Sequence, residues 1–170
     1  MEKTITTAFM VIISIIVSVM VYNAVYPAAV QGSDALRNMR GRMDERIQSQ
    51  VAIVHVAGEL DKNGVWHDGN GDGRFNVFVW SKNVGSARIS ALNKTDLFFG
   101  PDGNFVRIPH QESAGSGMPY WTWTVENDEN WNPSATLRIT IHYGAPLPRG
   151  RYFVKLVLPT GVGDEVFFSM

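Results

Sequence analysis

The stretch at residues 4–30, TITTAFMVIISIIVSVMVYNAVYPAAV, decides the fold of this chain. It separates Lys3 from the next formal charge, Asp34, and residues 8–25 are nearly all apolar. An apolar run of this length is enough for a helix to cross a bilayer. A cleaved secretory signal is the alternative, but its apolar core would be shorter and would follow a basic segment. The stretch therefore predicts a helix that inserts into a membrane.

The same helix is predicted to continue well beyond the membrane, to residue 57. Pro27 should kink it, because proline removes one hydrogen bond within a helix. Beyond the kink, apolar side chains recur every three or four residues, which makes one apolar stripe, and Gly58 is the expected stop. We expect residues 1–57 to be an assembly or transmembrane segment. Its expected packing residues in a filament core are Phe9, Ile12, Ile16, Val19, Leu36, Met39, Met43, Ile47 and Val54.

From residue 58 onward the pattern changes to short β-rich runs that are broken by Gly, Pro, Asn or Asp. Apolar and polar residues alternate most clearly at residues 137–143 and 152–158. No strand–helix–strand pattern is present, which disfavours nucleotide-binding α/β folds. The sequence predicts an α+β protein. A long N-terminal hydrophobic α-helix should be followed by an antiparallel immunoglobulin-like β-sandwich over residues 58–170.

Two parts of the chain carry a family resemblance. One is the apolar helix that runs into an amphipathic segment, and the other is the strand segment VFVWSKNVGSARISALNKTDLFFGPDGNF at residues 77–105. The residues that mark the second part are Lys82, Asn83, Gly85, Asp96 and Phe98. On these features the chain resembles archaellins, the filament proteins of the archaeal swimming organelle, within the type IV pilin-like superfamily.

This resemblance implies a structural subunit of an extracellular motility filament on the cell surface. Its partners would be copies of itself, joined in a helical polymer through the N-terminal helix, and the membrane before assembly. Single-span accessory proteins of the same machine, with an outward β-sandwich and a role in the stator, share the strand segment. A membrane-anchored stator protein is therefore the alternative. A third interpretation, based on the tryptophans, is a membrane-tethered carbohydrate-binding adhesin.

The stretch HDGNGDGRF at residues 67–75 indicates a cation-binding loop. Asp68, Asn70 and Asp72 place oxygens at alternate positions ahead of a glycine, as in the first half of an EF-hand calcium loop. The bidentate glutamate of that motif is replaced by Val79, and the following residues read as a strand. We expect a structural Ca²⁺ site at a β-hairpin. An ordinary solvated turn is the alternative, because turns use the same residue types.

Composition narrows the function further. The chain has no cysteine, which excludes disulfides and thiolate chemistry, and its net charge of −1 gives no reason to expect a nucleic-acid partner. The four histidines lack the spacing of a helical zinc pair. The carboxylates at residues 126–129 are expected to lie in a polar loop between strands. We therefore expect no enzymatic activity, no small-molecule substrate and no cofactor besides calcium.

One modification site is also expected. Asn93, Lys94 and Thr95 form a sequon for N-glycosylation. Its place between two β-rich runs fits a turn or an exposed strand position. Asn93 is the candidate acceptor if the domain faces outward in a host that glycosylates its surface proteins.

Overall fold

A computed structural model describes residues 2–170 of the chain. The chain divides into two compact units, one that extends to Met43 and one from Asp44 to Met170. The predicted boundary at residue 57 therefore lies too far along the chain. The last turn of the N-terminal helix and the whole first strand belong to the second unit.

The first element, α1, is a helix of 47 residues from Glu2 to Gln48, roughly 70 Å long at 1.5 Å per residue. Pro27 lies inside it, and the helix continues beyond that residue. By length and composition α1 can cross a membrane, and a secretory signal near an N-terminus shares these properties.

Three hydroxyl side chains within the apolar part of α1 are bonded to its own backbone. The hydroxyl of Thr7 donates to the carbonyl of Lys3 at 2.6 Å, and that of Ser18 donates to the carbonyl of Ser14 at 2.7 Å. The Ser14 hydroxyl donates in the same way to Val11 at 2.9 Å. Such bonds remove the cost of placing an unpaired hydroxyl among lipid chains.

The end of α1 differs from the prediction. The helix stops at Gln48, and residues predicted to continue it to 57 form strand β1, Val51–Gly58. The sequence VAIVHVAG is rich in β-branched residues, which lose χ1 freedom in a helix and fit a pleated sheet. Val54 is consequently an exposed strand residue and not part of a helical packing stripe.

Eight strands follow α1, interrupted by a short 3-10 turn at Leu92–Lys94 and a short helix, α2, at Gln111–Ala114. After β1 they are β2 Phe75–Asn83, β3 Asp96–Pro101, β4 Val106–Ile108, β5 Tyr120–Glu126, β6 Thr136–Tyr143, β7 Arg151–Val157 and β8 Gly163–Ser169. All except β1 lie in the part of the chain, from residue 58 onward, that the sequence predicts to be β-rich.

The strands form two four-stranded sheets, in the orders β1-β2-β6-β5 and β4-β3-β7-β8. Every pair within these sheets is antiparallel. Alternate residues of each strand face the other sheet and form one apolar core, as period-2 patterning requires. The predicted β-sandwich is confirmed. Its fully buried side chains include Phe75, Val77, Val79, Leu97, Phe99, Ile139, Ile141, Val154 and Leu156.

Candidate functional site

The apolar part of α1 is the first functional feature. Its large aliphatic side chains are exposed on every side, so no core within the described chain covers them. Near its end, the rings of Tyr22 and Tyr26 are stacked, with centroids 5.2 Å apart. Tyrosines gather at the membrane–water interface, because the ring is apolar and the hydroxyl is polar. The pair therefore fits the boundary of a membrane span.

Eight of the nine predicted packing residues lie on α1. Each of them is at least half exposed: Phe9, Ile12, Ile16, Val19, Leu36, Met39, Met43 and Ile47. Their surface is available both to lipid and to another helix. Their packing against other copies stays a prediction, and Val54 no longer belongs to the set.

The point where the helix enters the sandwich is held by the loop after β2. The Gln48 carbonyl accepts hydrogen bonds from the amides of Ser86 and Ala87, at 2.9 and 3.1 Å. The Gln50 carbonyl accepts from Val84 and Gly85, at 2.9 and 3.0 Å. Carbonyls at the end of a helix lack partners within it, so this loop satisfies one of them. We call residues 48–50 with 83–87 the junction.

Residues 83–85 belong to the strand motif that carries the family resemblance, and they lie in the junction. Asn83 is fully buried, and its side-chain amide donates to the carbonyls of Ala87 and Trp131 at 2.9 and 3.1 Å. Its oxygen accepts from the Gly85 amide at 3.0 Å. A Cβ on Gly85 would lie 2.0 Å from the Gln48 carbonyl oxygen. The motif was recognised in the sequence by resemblance, and the structure shows its physical role.

A second contact reaches the last turn of α1 from the β7–β8 loop. The Arg46 guanidinium donates through Nε to the Thr160 carbonyl at 3.0 Å. Gly161, at φ +80°, leaves room for it, because a Cβ there would lie 2.7 Å from the Arg46 Nη2. Ser49 is buried next to this loop, and both its amide and its hydroxyl bond to the Glu45 carbonyl.

The predicted cation-binding residues lie together on one loop before β2. Asp68 accepts from the amides of Gly71 and Gly73 at 2.7 and 2.8 Å. The Asn70 amide donates to Asp72 at 3.0 Å, and Asp72 accepts from the Arg74 amide at 2.8 Å. Within residues 2–170 no group of three or more His, Cys, Asp or Glu side chains converges as metal ligands would. The calcium site stays a prediction.

A buried polar network continues from this loop into the first sheet. His142 bonds through Nδ1 to the Asn76 oxygen at 2.7 Å and through Nε2 to the Thr122 hydroxyl at 3.0 Å. Burial lowers the pKa of His142, and the nearby Asp72 carboxylate opposes this effect. Burial tends to raise the pKa of Asp72, but hydrogen bonds led by the Arg74 amide outweigh it, and the net pKa is lowered.

The outer surface of the second sheet carries an aromatic cluster that the sequence analysis missed. The Phe153 ring lies between those of Phe105 and Phe167, with centroid distances of 4.6 and 4.9 Å. Phe153 is covered by its neighbours, whereas Phe105 and Phe167 are 46% and 45% exposed. We call these three residues the phenylalanine face. Arg151 stacks over the Phe167 ring at 4.5 Å from its centroid.

Ion pairs surround the phenylalanine face. Lys155 and Glu165 are opposite each other on β7 and β8, next to the pair Phe153 and Phe167, with Nζ and Oε2 2.6 Å apart. The other two pairs are Arg107 with Asp96 at 2.6 Å and Arg151 with Asp102 at 3.6 Å. An apolar centre with a charged rim is the composition of a protein interface. In the sequence, this surface is indicated by Phe153 and Phe167, which occupy positions of β7 and β8 where the alternating pattern calls for polar residues.

The remaining predicted residues lie elsewhere. Asn93 is exposed in the 3-10 turn, and its amide donates to the Glu112 carboxylate at 2.9 Å. Glycosylation there stays a prediction. The acidic segment between β5 and β6 is a polar turn, in which Asp128 accepts from Asn132 and from two backbone amides. These bonds, that of Asn132 first, lower the pKa of Asp128.

Comparison with known proteins places the fold. No family model matches the chain. An uncharacterized protein of Archaeoglobus fulgidus is 24% identical over 175 residues, which cover 99% of this chain and 98% of that protein. The relative therefore shares the whole length of the chain, but its name assigns no function.

Two solved structures share the fold. One is the archaellum periplasmic stator protein FlaG from Sulfolobus acidocaldarius, with a TM-score of 0.54 and 23% identity, over 71% of this chain and 99% of that chain. The other is the periplasmic stator complex of FlaF and FlaG from the same organism, with a TM-score of 0.52 and 24% identity, over 71% and 89%. Both solved structures are of archaellum stator proteins, and at these identities the likeness shows a shared fold and does not establish the archaellin resemblance.

Proposed function

We propose that this chain is a membrane-anchored accessory protein of an archaellum-type motility machine, of the stator kind, with its sandwich outside the cytoplasmic membrane. The observation that carries the proposal is the fold match over nearly the whole length of a stator protein. The match covers 71% of this chain. The exposed apolar helix supplies the membrane anchor. The proposal includes no catalytic step.

Burial energetics support anchoring of the monomer. The apolar part of α1 exposes more than a dozen large aliphatic and aromatic side chains. Each is worth about 1.5–3 kcal/mol when it leaves water. A lipid bilayer covers all of these side chains without another protein, and the hydroxyls of Ser14 and Ser18 are already bonded to the backbone. The stacked tyrosines at its end are placed as an interfacial anchor.

The partner in this proposal is a second sandwich protein of the same machine. One solved neighbour is a complex of two archaellum periplasmic stator proteins, FlaF and FlaG. In this chain the phenylalanine face offers a suitable surface, because two of its rings are nearly half exposed within a rim of paired charges. The rim charges are already paired, so little free energy is lost when another polar surface approaches them. The phenylalanine rings would form the buried centre of the interface.

Orientation in the membrane is the measurement that tests the proposal. Four arginines follow the span, Arg37, Arg40, Arg42 and Arg46, and positive residues favour the cytoplasmic side. Three acidic residues, Asp34, Asp44 and Glu45, lie among them. The arginines alone would favour a sandwich on the cytoplasmic side, whereas the proposal requires it on the outer side. The side on which the sandwich lies is therefore a stringent test. Protease added to intact cells should cleave the sandwich and leave the apolar helix in the membrane. Complete protection in intact cells, with cleavage after lysis, would overturn the proposal.

A matched pair of variants separates anchoring from folding. The double change Ile12→Asp and Ile16→Asp should release the protein from the membrane, because each charge at mid-bilayer is strongly unfavourable. Val65→Asp changes an equally exposed apolar side chain on the sandwich and should leave the membrane fraction unchanged. The distribution between membrane and soluble fractions is read by immunoblot.

A filament subunit remains the second candidate, because the exposed stripe of Leu36, Met39, Met43 and Ile47 lies beyond the span. A filament core would cover this stripe with neighbouring helices. Mass spectrometry of sheared surface filaments distinguishes the two functions. The stator proposal expects the chain in the membrane and not as a major filament component. Filaments built mainly of this chain, and lost on combining Met43→Asp with Ile47→Asp, would establish the subunit function instead.

A further inference from the structure

We propose that the sandwich binds a neutral sugar residue in a pocket of about 290 Å³ beside the edge strand β5. The pocket lies between β5, the segment 88–93 that leads into the 3-10 turn, and the turn after β5. We call it the Trp123 pocket. It shares no residue with the junction, the cation-binding loop or the phenylalanine face, and it does not depend on a stator function.

The floor of the Trp123 pocket is apolar and consists of buried side chains. Ile89, Leu92, Val125 and Trp131 line it, and all four are buried in the sandwich core. Ile89 and Trp131 are joined by a backbone bridge, with the Ile89 amide donating to the Trp131 carbonyl at 3.1 Å. The wall of the pocket is therefore set by the core and does not need to form on binding.

Trp123 is an accessible aromatic surface at the mouth of this pocket. It pairs with the fully buried Ile139 of β6, so its side chain leaves the sheet on the core side. It is nevertheless 39% exposed, in contrast to Trp121 and Trp131, which are 1% exposed. Of these three tryptophans, Trp123 alone exposes enough of its indole ring to stack on a ligand.

The rim of the pocket is polar and is arranged in two pairs. On one side Asn93 donates to Glu112 at 2.9 Å, and on the other the Arg88 guanidinium donates to the Asn130 oxygen at 3.5 Å. Glu129 also lines the rim. Amides, carboxylates and a guanidinium together supply both donors and acceptors. Most of these groups are solvent-exposed and can exchange water for a ligand hydroxyl.

A pyranose ring fits this combination of surfaces. One side of the ring is a set of C–H groups that can lie on the Trp123 indole, while its edge carries hydroxyls that need both donors and acceptors. A purely apolar ligand would leave the rim groups without partners, which is unfavourable. The rim carries two carboxylates and one guanidinium, so phosphates and acidic sugars are disfavoured. The volume lies near the lower limit for small-molecule sites, which suits one or two sugar rings.

The test uses the full-length protein from a host that does not N-glycosylate, in a detergent without a sugar headgroup. The probes are the methyl glycosides of mannose, glucose and galactose, with glucuronate and adenosine as an acidic and a flat aromatic comparator. Saturation-transfer NMR and tryptophan fluorescence report binding. At least one neutral glycoside should bind, and Trp123→Ala should weaken it by about 10-fold or more.

Matched variants keep the result interpretable. Trp80→Ala removes a tryptophan that contacts His55 and Phe78 on the outer face of the first sheet, and it should leave affinity unchanged. Trp123→Phe keeps an aromatic ring and should retain part of the affinity. Glu129→Ala, on the exposed rim, should weaken binding even if Trp123→Ala proves unstable. The proposal fails if no neutral glycoside binds, if binding survives both Trp123→Ala and Glu129→Ala, or if glucuronate or adenosine binds more tightly.

Discussion

Only glycine fits at position 85, because there is no room for a side chain. The loop carrying it approaches the end of α1 so closely that any Cβ would overlap backbone atoms of Gln48 and Gln50. Because the obstacle is backbone, no side-chain rotation can relieve it. Gly85→Ala should therefore lower the free energy of unfolding of the sandwich by about 2 kcal/mol, measured by urea denaturation of the full chain.

Gly69→Ala is the matched control for this change. A Cβ on Gly69 meets nothing within 4 Å, and the residue lies in an exposed loop. The free energy of unfolding of this variant should lie within about 0.5 kcal/mol of the wild-type value. Equal effects at the two positions would mean that the close approach at Gly85 does not limit stability.

His142 should make stability depend on pH. Burial lowers its pKa in the folded state, so below pH ~6.5 the unfolded chain takes up a proton more readily than the folded one. As far as His142 is concerned, the free energy of unfolding should be highest above that pH, and it should decrease as the pH falls below it. His142→Asn should flatten this decline, as followed by urea denaturation across the range.

Thr122→Val serves as the control for the histidine. It removes the hydroxyl that bonds His142 Nε2 but keeps the titrating ring. Overall stability should fall while the slope with pH remains. If the stability of His142→Asn still declined with falling pH, the pH dependence would arise from groups other than His142.

Among the elements, β1 shows the limit of sequence patterning. An apolar residue every third or fourth position from Leu36 onward continued formally to Val54, and this favoured a longer helix. The competing signal was the run of β-branched residues in VAIVHVAG, and it prevailed because β2 offered a neighbouring strand. The other seven strands were predictable, because turn residues interrupt them and their faces alternate. Helix length was decided by tertiary pairing, which a local pattern does not contain.

The loop before β2 gives a prediction at the same scale. If it binds calcium as the sequence indicates, CaCl₂ should raise the melting temperature by several degrees relative to a chelator, and MgCl₂ should do less. Asp72→Asn should remove the effect. Asp102→Asn, which alters an exposed carboxylate paired with Arg151, should keep it. An unchanged melting temperature in calcium would mean that Asp68 and Asp72 act only as acceptors for the loop amides.

At the scale of the whole molecule, the sequence predicted the class of fold but not the surfaces. Core residues reveal themselves by alternation, whereas the phenylalanine face depends on which strands are neighbours. Phe105, Phe153 and Phe167 are far apart in the chain and meet only because β8 pairs with β7 and Gly100 of β3 leaves room for Phe105. The Trp123 pocket likewise depends on which of three similar tryptophans the fold leaves uncovered.

Swimming should depend on the phenylalanine face if the proposed function is correct. Phe167→Asp places a charge at the centre of that surface and should reduce swimming while the protein stays at its normal level in the membrane. Motility on soft agar and immunoblots of membranes provide the two measurements. Val65→Asp, on a different exposed surface, should swim normally. Normal swimming of the Phe167→Asp strain would show that partners do not use this face.

The junction has a practical consequence for where the chain can be shortened. A soluble fragment that begins at Val51, the first residue of the sheet, would strip four amides, those of residues 84–87, of the carbonyls that they bond in the intact chain. A fragment that begins at Asp44 keeps both acceptors and also the Arg46 contact to the β7–β8 loop. The shorter fragment should lose native loop conformation and resist crystallisation, whereas the longer one should behave as an autonomous domain.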